Sequence, residues 1–542
     1  MPLRKTKIAC TLGKASSSKE VIIDLINAGM DIARISDRFL EIDKQTVLNN
    51  LRDAMKETGK HVGVMLGLRE SDLRLGNFNS SISLKLRKGD FVRIYSSNLL
   101  EIKGENIIHC NNKEFPNLVD PGDKLLIDFG KIVFTVESIQ NTNKPKFPSS
   151  LQISHNGGTS HHVPQVKSFE ERSSSTDRPK LYKSDSLNII RRPRRLTPHI
   201  PKSQRKEKIV CCRVDHDCVL SEHKPCHIRP SGSKKPPISC ANDIYDFADI
   251  RWACDNDIDF IVYKQLRDEE DLHDFHNIPL PNVKKFIGIQ NSCAAQNSEA
   301  LIQACDGVMI GRGMLALETS LADVCTIQKE IVKRCNELSK PVIISTQLLE
   351  TMVHQKHPSS AEVTDISNAI LDGCDALLLT GETAYGDHPV LALQTCEQIC
   401  LEAEKYLDYN FQCEKILETI QSSITIAENV CYCAVRSVLA LKGKIIICQT
   451  RSGRTAQQIS RFMPPCLILA LTNSPKTTRF LKAVRGVYPS MVEDPQKPLI
   501  EIAIDKAKEV NLVERGDTVV YVGGTRDTFD TETTAFNIIQ IS

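Results

Sequence analysis

Apolar and polar positions alternate along the first seventy residues in blocks that predict strand, helix and strand. Lys7-Ile-Ala-Cys-Thr-Leu-Gly13 is apolar and ends on glycine, as a buried strand does. Ser17-Ser-Lys-Glu20 carries a helix-start signal, and Val21, Ile22, Leu25 and Ile26 recur at the spacing of one helical face. Residues 30–35 predict a second strand, a helical pattern follows over about 45–59, and 61–67 predict a third strand. Such alternation builds parallel sheets with crossover helices. It breaks near residue 72. Residues 72–154 carry short strand patterns between turns, which predict a small all-β module inserted into the α/β domain. Alternation resumes near 242, with strand candidates at 259–263, 285–290, 307–311, 341–346 and 376–380. With the first three these make eight strand–helix units, the count of a (β/α)8 TIM barrel. The barrel domain is thus expected over 1–71 and 238–405. A C-terminal α/β domain is expected over 406–542, with strands at 444–448, 467–471 and 518–522.

Composition changes this picture in one region. The 542-residue chain has a net charge of only +2, which points to no partner. Residues 151–240 alone hold 18 Lys+Arg against 8 Asp+Glu, so the rest of the chain is about −8. The stretch is rich in Ser, Pro and His with little periodicity, and 155–237 reads as a disordered basic extension. An interaction protein acting through this extension is one functional reading. Its Arg191-Arg-Pro-Arg-Arg195 run has no aromatic interleaving, so nucleic-acid binding is not expected. Cys211, Cys212, His216, Cys218, His223, Cys226 and His227 lie close together but lack paired C-x₂-C spacing, and zinc is not assigned. No apolar run approaches membrane-span length, and the start leads into strand-like sequence rather than a signal-peptide core. Together with the cysteines, read as reduced and partly buried, this implies a cytoplasmic protein that does not bind membranes.

Five motifs follow one another along the chain. They are Lys7-Ile-Ala-Cys-Thr-Leu-Gly13, Ala28-Gly-Met-Asp-Ile-Ala-Arg34, Asp306-Gly-Val-Met-Ile-Gly-Arg-Gly313, Ser345-Thr-Gln-Leu-Leu-Glu-Thr-Met352 and Thr380-Gly-Glu-Thr-Ala-Tyr-Gly-Asp387. In content and order they resemble the motifs of pyruvate kinases. The resemblance implies a TIM barrel with an inserted β-barrel domain and a C-terminal α/β domain. It also implies the family reaction, phosphoryl transfer from phosphoenolpyruvate to ADP giving pyruvate and ATP in glycolysis, with Mg²⁺ and K⁺ as cofactors and an oligomer of like or related subunits.

Carried over residue by residue, the family pattern holds in part. Thr346 matches the Thr beside the protonated carbon. Arg34, Arg74, Arg312 and Gly313 match substrate-binding positions, and Asp72 stands where the Arg74 motif has Glu. The catalytic Lys position is Gly288. The two carboxylates that hold Mg²⁺ are replaced by Gln290 and Met314, and the K⁺ positions are Ser36, Arg38, Gly67 and Leu68. Arg38 places a positive charge where K⁺ would lie. Hard cations take carboxylate oxygens, and a thioether is a soft, neutral donor. The expectation is therefore an inactive or strongly impaired family member, a pseudoenzyme or regulatory subunit. The alternative is an active enzyme with a rebuilt metal site. In the C-terminal domain, Thr450-Arg451-Ser452-Gly453-Arg454-Thr455 follows a strand and opens a helix, and it resembles the family loop that holds an effector phosphate.

Overall fold

A computed structural model describes residues 4–36, 40, 42–68, 73–76, 83–96, 106–112, 115–128, 130–141, 208–221, 224–229, 231, 247–264, 266, 271–272, 283–420, 424–492, 498–524 and 532–541. Arg38, Asp72 and the Arg191–Arg195 run lie outside the described residues. So do 142–207, most of the basic stretch on which the interaction reading rests.

The chain enters through strand β1 (Lys7–Thr11) and a helix (Lys19–Asn27) whose N-cap is Ser18, with Oγ accepting from Val21 N. Strand β2 (Ile32–Ile35), a helix (Lys44–Thr58) and strand β3 (Gly63–Gly67) follow. The chain then leaves for the inserted domain, which contains β4 (Arg74–Gly76), β5 (Ser83–Leu86), β6 (Phe91–Tyr95), β7 (Ile107–Cys110), β8 (Lys124–Ile127), β9 (Ile132–Asn141), β10 (Lys208–Val214), β11 (Cys218–Ser221) and β12 (Lys224–Arg229). Five further strands complete the large barrel: β13 (Phe260–Tyr263), β14 (Lys284–Ile289), β15 (Gly307–Gly311), β16 (Val342–Ser345) and β17 (Ala376–Leu379). The eight close in the order β1-β17-β16-β15-β14-β13-β3-β2, every pairing parallel. These are the eight strands that the apolar pattern predicts.

Strand period two sorts the barrel residues onto two faces. Ile8, Cys10, Leu66, Ile261, Ile287 and Ile310 face outward into the core shared with the helices. Ala9, Met65, Phe260, Val262, Phe286 and Met309 belong to a second core, which fills the barrel and runs on into the C-terminal domain. Phe260 stacks on Phe286, their ring centres 5.3 Å apart.

The inserted domain is a closed barrel of seven strands in the order β10-β6-β7-β4-β12-β8-β9. This corrects the expected extension, because residues 208–229 supply β10 and β12 to that barrel, and β11 pairs with β5. Ile209-Val-Cys-Cys-Arg-Val214 alternates well enough to form a strand, but its basic and His-rich surroundings mask the pattern. The same alternation separates the clustered cysteines. Cys212 and Cys226 point into the small-barrel core, whereas Cys211 lies outside that cluster.

The C-terminal domain holds β18 (Ile445–Gln449), β19 (Leu467–Thr472), β20 (Val487–Met491), β21 (Thr518–Gly523) and β22 (Ala535–Gln540), in the order β20-β19-β18-β21-β22. The edge strand β22 is antiparallel to β21. This domain packs on the N-terminal ends of the large-barrel strands. Arg479 Nη2 lies 2.7 Å from Asp257 and its Nε binds Asp259, just before β13. Lys7 Nζ donates to Val487 O at 2.8 Å, and Arg485 N donates to Asp375 at 3.0 Å. The C-terminal ends of the strands, the mouth of the barrel, are left to face the inserted domain.

Candidate functional site

The mouth is built where β2, β3, β13, β14, β15 and β16 end. Three inward-facing glycines mark it, and each lies under a longer side chain from a neighbouring strand. A Cβ added at Gly67 would stand 2.9 Å from Arg34 Nη2 and 3.0 Å from its Nε. One at Gly288 would stand 3.1 Å from Lys264 Cγ, and one at Gly311 would stand 3.0 Å from Gln290 Oε1. Each glycine is thus the space into which its neighbour folds. Arg34 and Lys264 are both buried, and Arg34 Nη1 donates to Thr11 Oγ1 at 3.3 Å.

On the far side of the mouth, β16 ends in two successive left-handed residues, Thr346 (φ 69°) and Gln347 (φ 54°). Non-glycine residues in this region are strained by about 1–3 kcal/mol each, so their surroundings must hold them. Arg312 does so. Its Nε and Nη2 donate to Thr346 O at 3.2 and 2.9 Å, and Nη2 also donates to Gln347 O at 2.8 Å. Nη1 donates to both carboxylate oxygens of Asp365, at 2.8 and 2.7 Å. Gly313 N donates to Thr346 Oγ1 at 2.8 Å. Arg312 and Gly313 therefore act on Thr346 directly. The planar guanidinium is the one side chain with enough donors in a fixed fork for this task.

The adjoining loops are pinned by buried carboxylates. Glu382 accepts from Leu349 N at 3.0 Å and Thr380 N at 2.7 Å, tying the loop after β16 to the loop after β17. Burial pushes its carboxyl above the ordinary glutamate range. Glu318 ends the helix Arg312–Glu318 and accepts from Ser292 N and Oγ at 2.9 and 3.0 Å. The inserted domain reaches this edge through Arg229 Nη2, 3.0 Å from Leu317 O, and His227 Nε2, 3.5 Å from Glu318. Burial lowers the His227 pKa to about 4, with Arg229 adding to the effect. At neutral pH that contact is made by an uncharged imidazole and is not an ion pair.

Residues 3–166 and 197–393 match the family described as pyruvate kinase, barrel domain, and 428–541 match pyruvate kinase, alpha/beta domain. The chain belongs to the pyruvate kinase family. It is 28% identical to a pyruvate kinase of Dictyostelium discoideum over 99% of this chain and 94% of that protein. It is also 28% identical to a cytosolic pyruvate kinase isozyme of Glycine max over 95% of this chain and 93% of that one. The crystal structure of Cryptosporidium parvum pyruvate kinase superposes with a TM-score of 0.78 at 25% identity, covering 99% of this chain and 98% of that one. Among the described residues no helix is long and apolar enough to cross a membrane.

Pyruvate kinases use Mg²⁺ and K⁺, and the residues that the motif resemblance sets at the metal positions are poor donors for them. Gln290 offers an amide oxygen and Met314 a thioether, where Mg²⁺ favours charged oxygens. Among the described residues no group of three or more His, Cys, Asp or Glu side chains is placed to hold a metal. Of the residues that the resemblance sets at K⁺ positions, Ser36 offers a hydroxyl, Gly67 has no side chain, and Leu68 points into the outer core among the helices.

Arg74 starts β4 in the inserted domain, its N–H donating to Asn111 Oδ1 at 2.7 Å. In the C-terminal loop, Gly453 takes a φ of 89° and caps the helix Arg454–Arg461. Gly453 N donates to Thr450 Oγ1 at 3.0 Å, Arg454 N to Ser452 Oγ at 3.4 Å, and Thr455 Oγ1 pairs with Thr533 Oγ1 at 2.8 Å. Arg451, Ser452 and Arg454 stay exposed.

Sequence reasoning missed Lys264, Asp365 and Glu382. The signal for Lys264 was legible: it follows the apolar run Phe260-Ile-Val-Tyr263 in the inward phase of 260 and 262. A charged residue there ends a barrel strand at the mouth.

Proposed function

We propose that this pyruvate kinase family member binds a phosphoenolpyruvate-like anion at its barrel mouth but does not carry out metal-dependent phosphoryl transfer to ADP. What supports the reading is the set of residues that the resemblance puts at the catalytic and metal positions, Gly288, Gln290 and Met314, alongside Arg34 and Thr346 at substrate positions. Phosphoryl transfer depends on positioning and charge neutralisation, and removing one stabilising donor costs ~10²–10³ in rate. Replacing both metal carboxylates and the lysine together leaves only binding and residual polarisation.

The same reading makes the chain a regulatory partner in the cytoplasm, assembling with copies of itself or with active relatives. A phosphorylated effector at residues 450–455 is part of the proposal, supported by exposed Arg451 and Arg454 beside a helix start.

The test is restoration. Gly288→Lys, Gln290→Glu and Met314→Asp are combined with Lys264→Ser, which clears space beside 288. Pyruvate formation with Mg²⁺ and K⁺ should rise at least ~100-fold over the parent chain. A variant that folds, binds phosphoenolpyruvate and still shows the parent's rate would count against the reading.

A further inference from the structure

We infer that Lys264 supplies the phosphate-binding cation of the barrel mouth, and that with Arg34 it holds the anion without a divalent metal. The inference rests on the proposed binding of a phosphorylated carboxylate at the mouth.

Lys264 directly follows β13, in the inward phase of Phe260 and Val262. Val262 pairs with Phe286 and Tyr263 with Ile287. One more step of that register sets Lys264 beside Gly288. A Cβ at 288 would lie 3.1 Å from Lys264 Cγ, 3.2 Å from its Cα and 3.4 Å from its Cβ. The space beside the position where the family carries a lysine is thus taken by the stem of a lysine from the adjoining strand. Glycine at 288 and lysine at 264 form a complementary pair, and a long side chain at both positions would crowd the same volume.

Charge arithmetic explains why such a site can do without the metal. A divalent ion held on two carboxylates adds no net charge to the mouth. Removing the ion and both carboxylates together, as Gln290 and Met314 do, therefore leaves that net charge unchanged. Arg34 is 4% and Lys264 9% exposed, so both act where water screens them little. A dianionic phosphate with a carboxylate alongside fits two such cations, the guanidinium offering a planar fork and the ammonium a point charge.

The test is isothermal titration of the full chain with phosphoenolpyruvate and, separately, with inorganic phosphate, each in EDTA and in Mg²⁺. The parent chain should bind phosphoenolpyruvate with Kd values within ~3-fold in the two buffers. Lys264→Met should weaken both ligands by ~10- to 100-fold, the range for loss of one charge-assisted hydrogen bond. The exchange variant Lys264→Ser with Gly288→Lys should regain most of that affinity, because the cation returns from the neighbouring strand. It also guards against misreading a folding defect in Lys264→Met. Unchanged affinity in a folded Lys264→Met chain overturns the role of Lys264 and leaves the proposed function standing. Binding seen only with Mg²⁺ overturns the metal-independent site. Failure of the parent chain to bind phosphoenolpyruvate in either buffer overturns both this inference and the proposed binding.

Discussion

Arg312→Ala should release the loop that carries Thr346. The guanidinium makes five hydrogen bonds, two to Asp365 and three to the carbonyls of Thr346 and Gln347. The Asp365 side chain is 41% exposed, so water replaces its two bonds at little cost. The carbonyl bonds matter more, because they hold two residues at positive φ. Charge-assisted bonds contribute about 1.5–3 kcal/mol, and the strain they oppose is about 1–3 kcal/mol per residue. Local opening of this loop should therefore become easier by about 3 kcal/mol. At 1.4 kcal/mol per factor of ten, that is about a hundredfold faster amide exchange. The assay is hydrogen–deuterium exchange of a peptide covering 345–353, with the melting temperature of the whole chain as control. Asp365→Asn, which removes the exposed partner, should change exchange by less than ~5-fold. Exchange in Arg312→Ala within ~3-fold of the parent would refute the brace.

Other consequences follow from the same geometry. Gly67→Ala should lower phosphoenolpyruvate affinity by titration ~5- to 10-fold, because the atoms nearest the added methyl are those of the Arg34 guanidinium, which it displaces. His227 is held neutral by burial, with a pKa of about 4 against 6.5 in the unfolded chain. The unfolded state therefore takes up the proton first, so stability is intact above about pH 6.5 and falls by about 3 kcal/mol as pH drops toward 4. Denaturant midpoints across that window should show a smaller decline in His227→Gln. Cys254 and Cys325 are exposed, whereas burial pushes Cys305 and Cys431 up to about 12. A thiol reagent should thus label the first pair in the native protein and the second pair only after unfolding.

The eight barrel strands were legible because each is a short apolar run closed by glycine or a polar residue, with helical spacing between runs. The boundary of the inserted domain was not. Strands β10 and β12 lie in a basic stretch where composition outweighs alternation, and their partners β6 and β8 are about a hundred residues earlier. Long-range antiparallel pairing leaves no local signature. The expected departures from the family pattern at 67, 288, 290 and 314 rest on residue identities alone. What fills the space beside Gly288 was not legible in them, since the contact between Lys264 and Gly288 depends on the register of two strands separated by a long connection. Arg312 shows the opposite case. Its motif pointed to a substrate contact, while its hydrogen bonds make it the brace that sets Thr346.

The most direct test of the account is the initial rate of pyruvate formation by the purified full chain. Phosphoenolpyruvate, ADP, K⁺ and Mg²⁺ or Mn²⁺ would all be saturating, in an assay coupled to lactate dehydrogenase. The account predicts a rate at least ~10³-fold below the ~10 s⁻¹ of a median enzyme, with no increase on adding either metal. A metal-dependent rate within ~100-fold of that median would contradict it, and would mean that Gln290 and Met314 leave a working metal site in place.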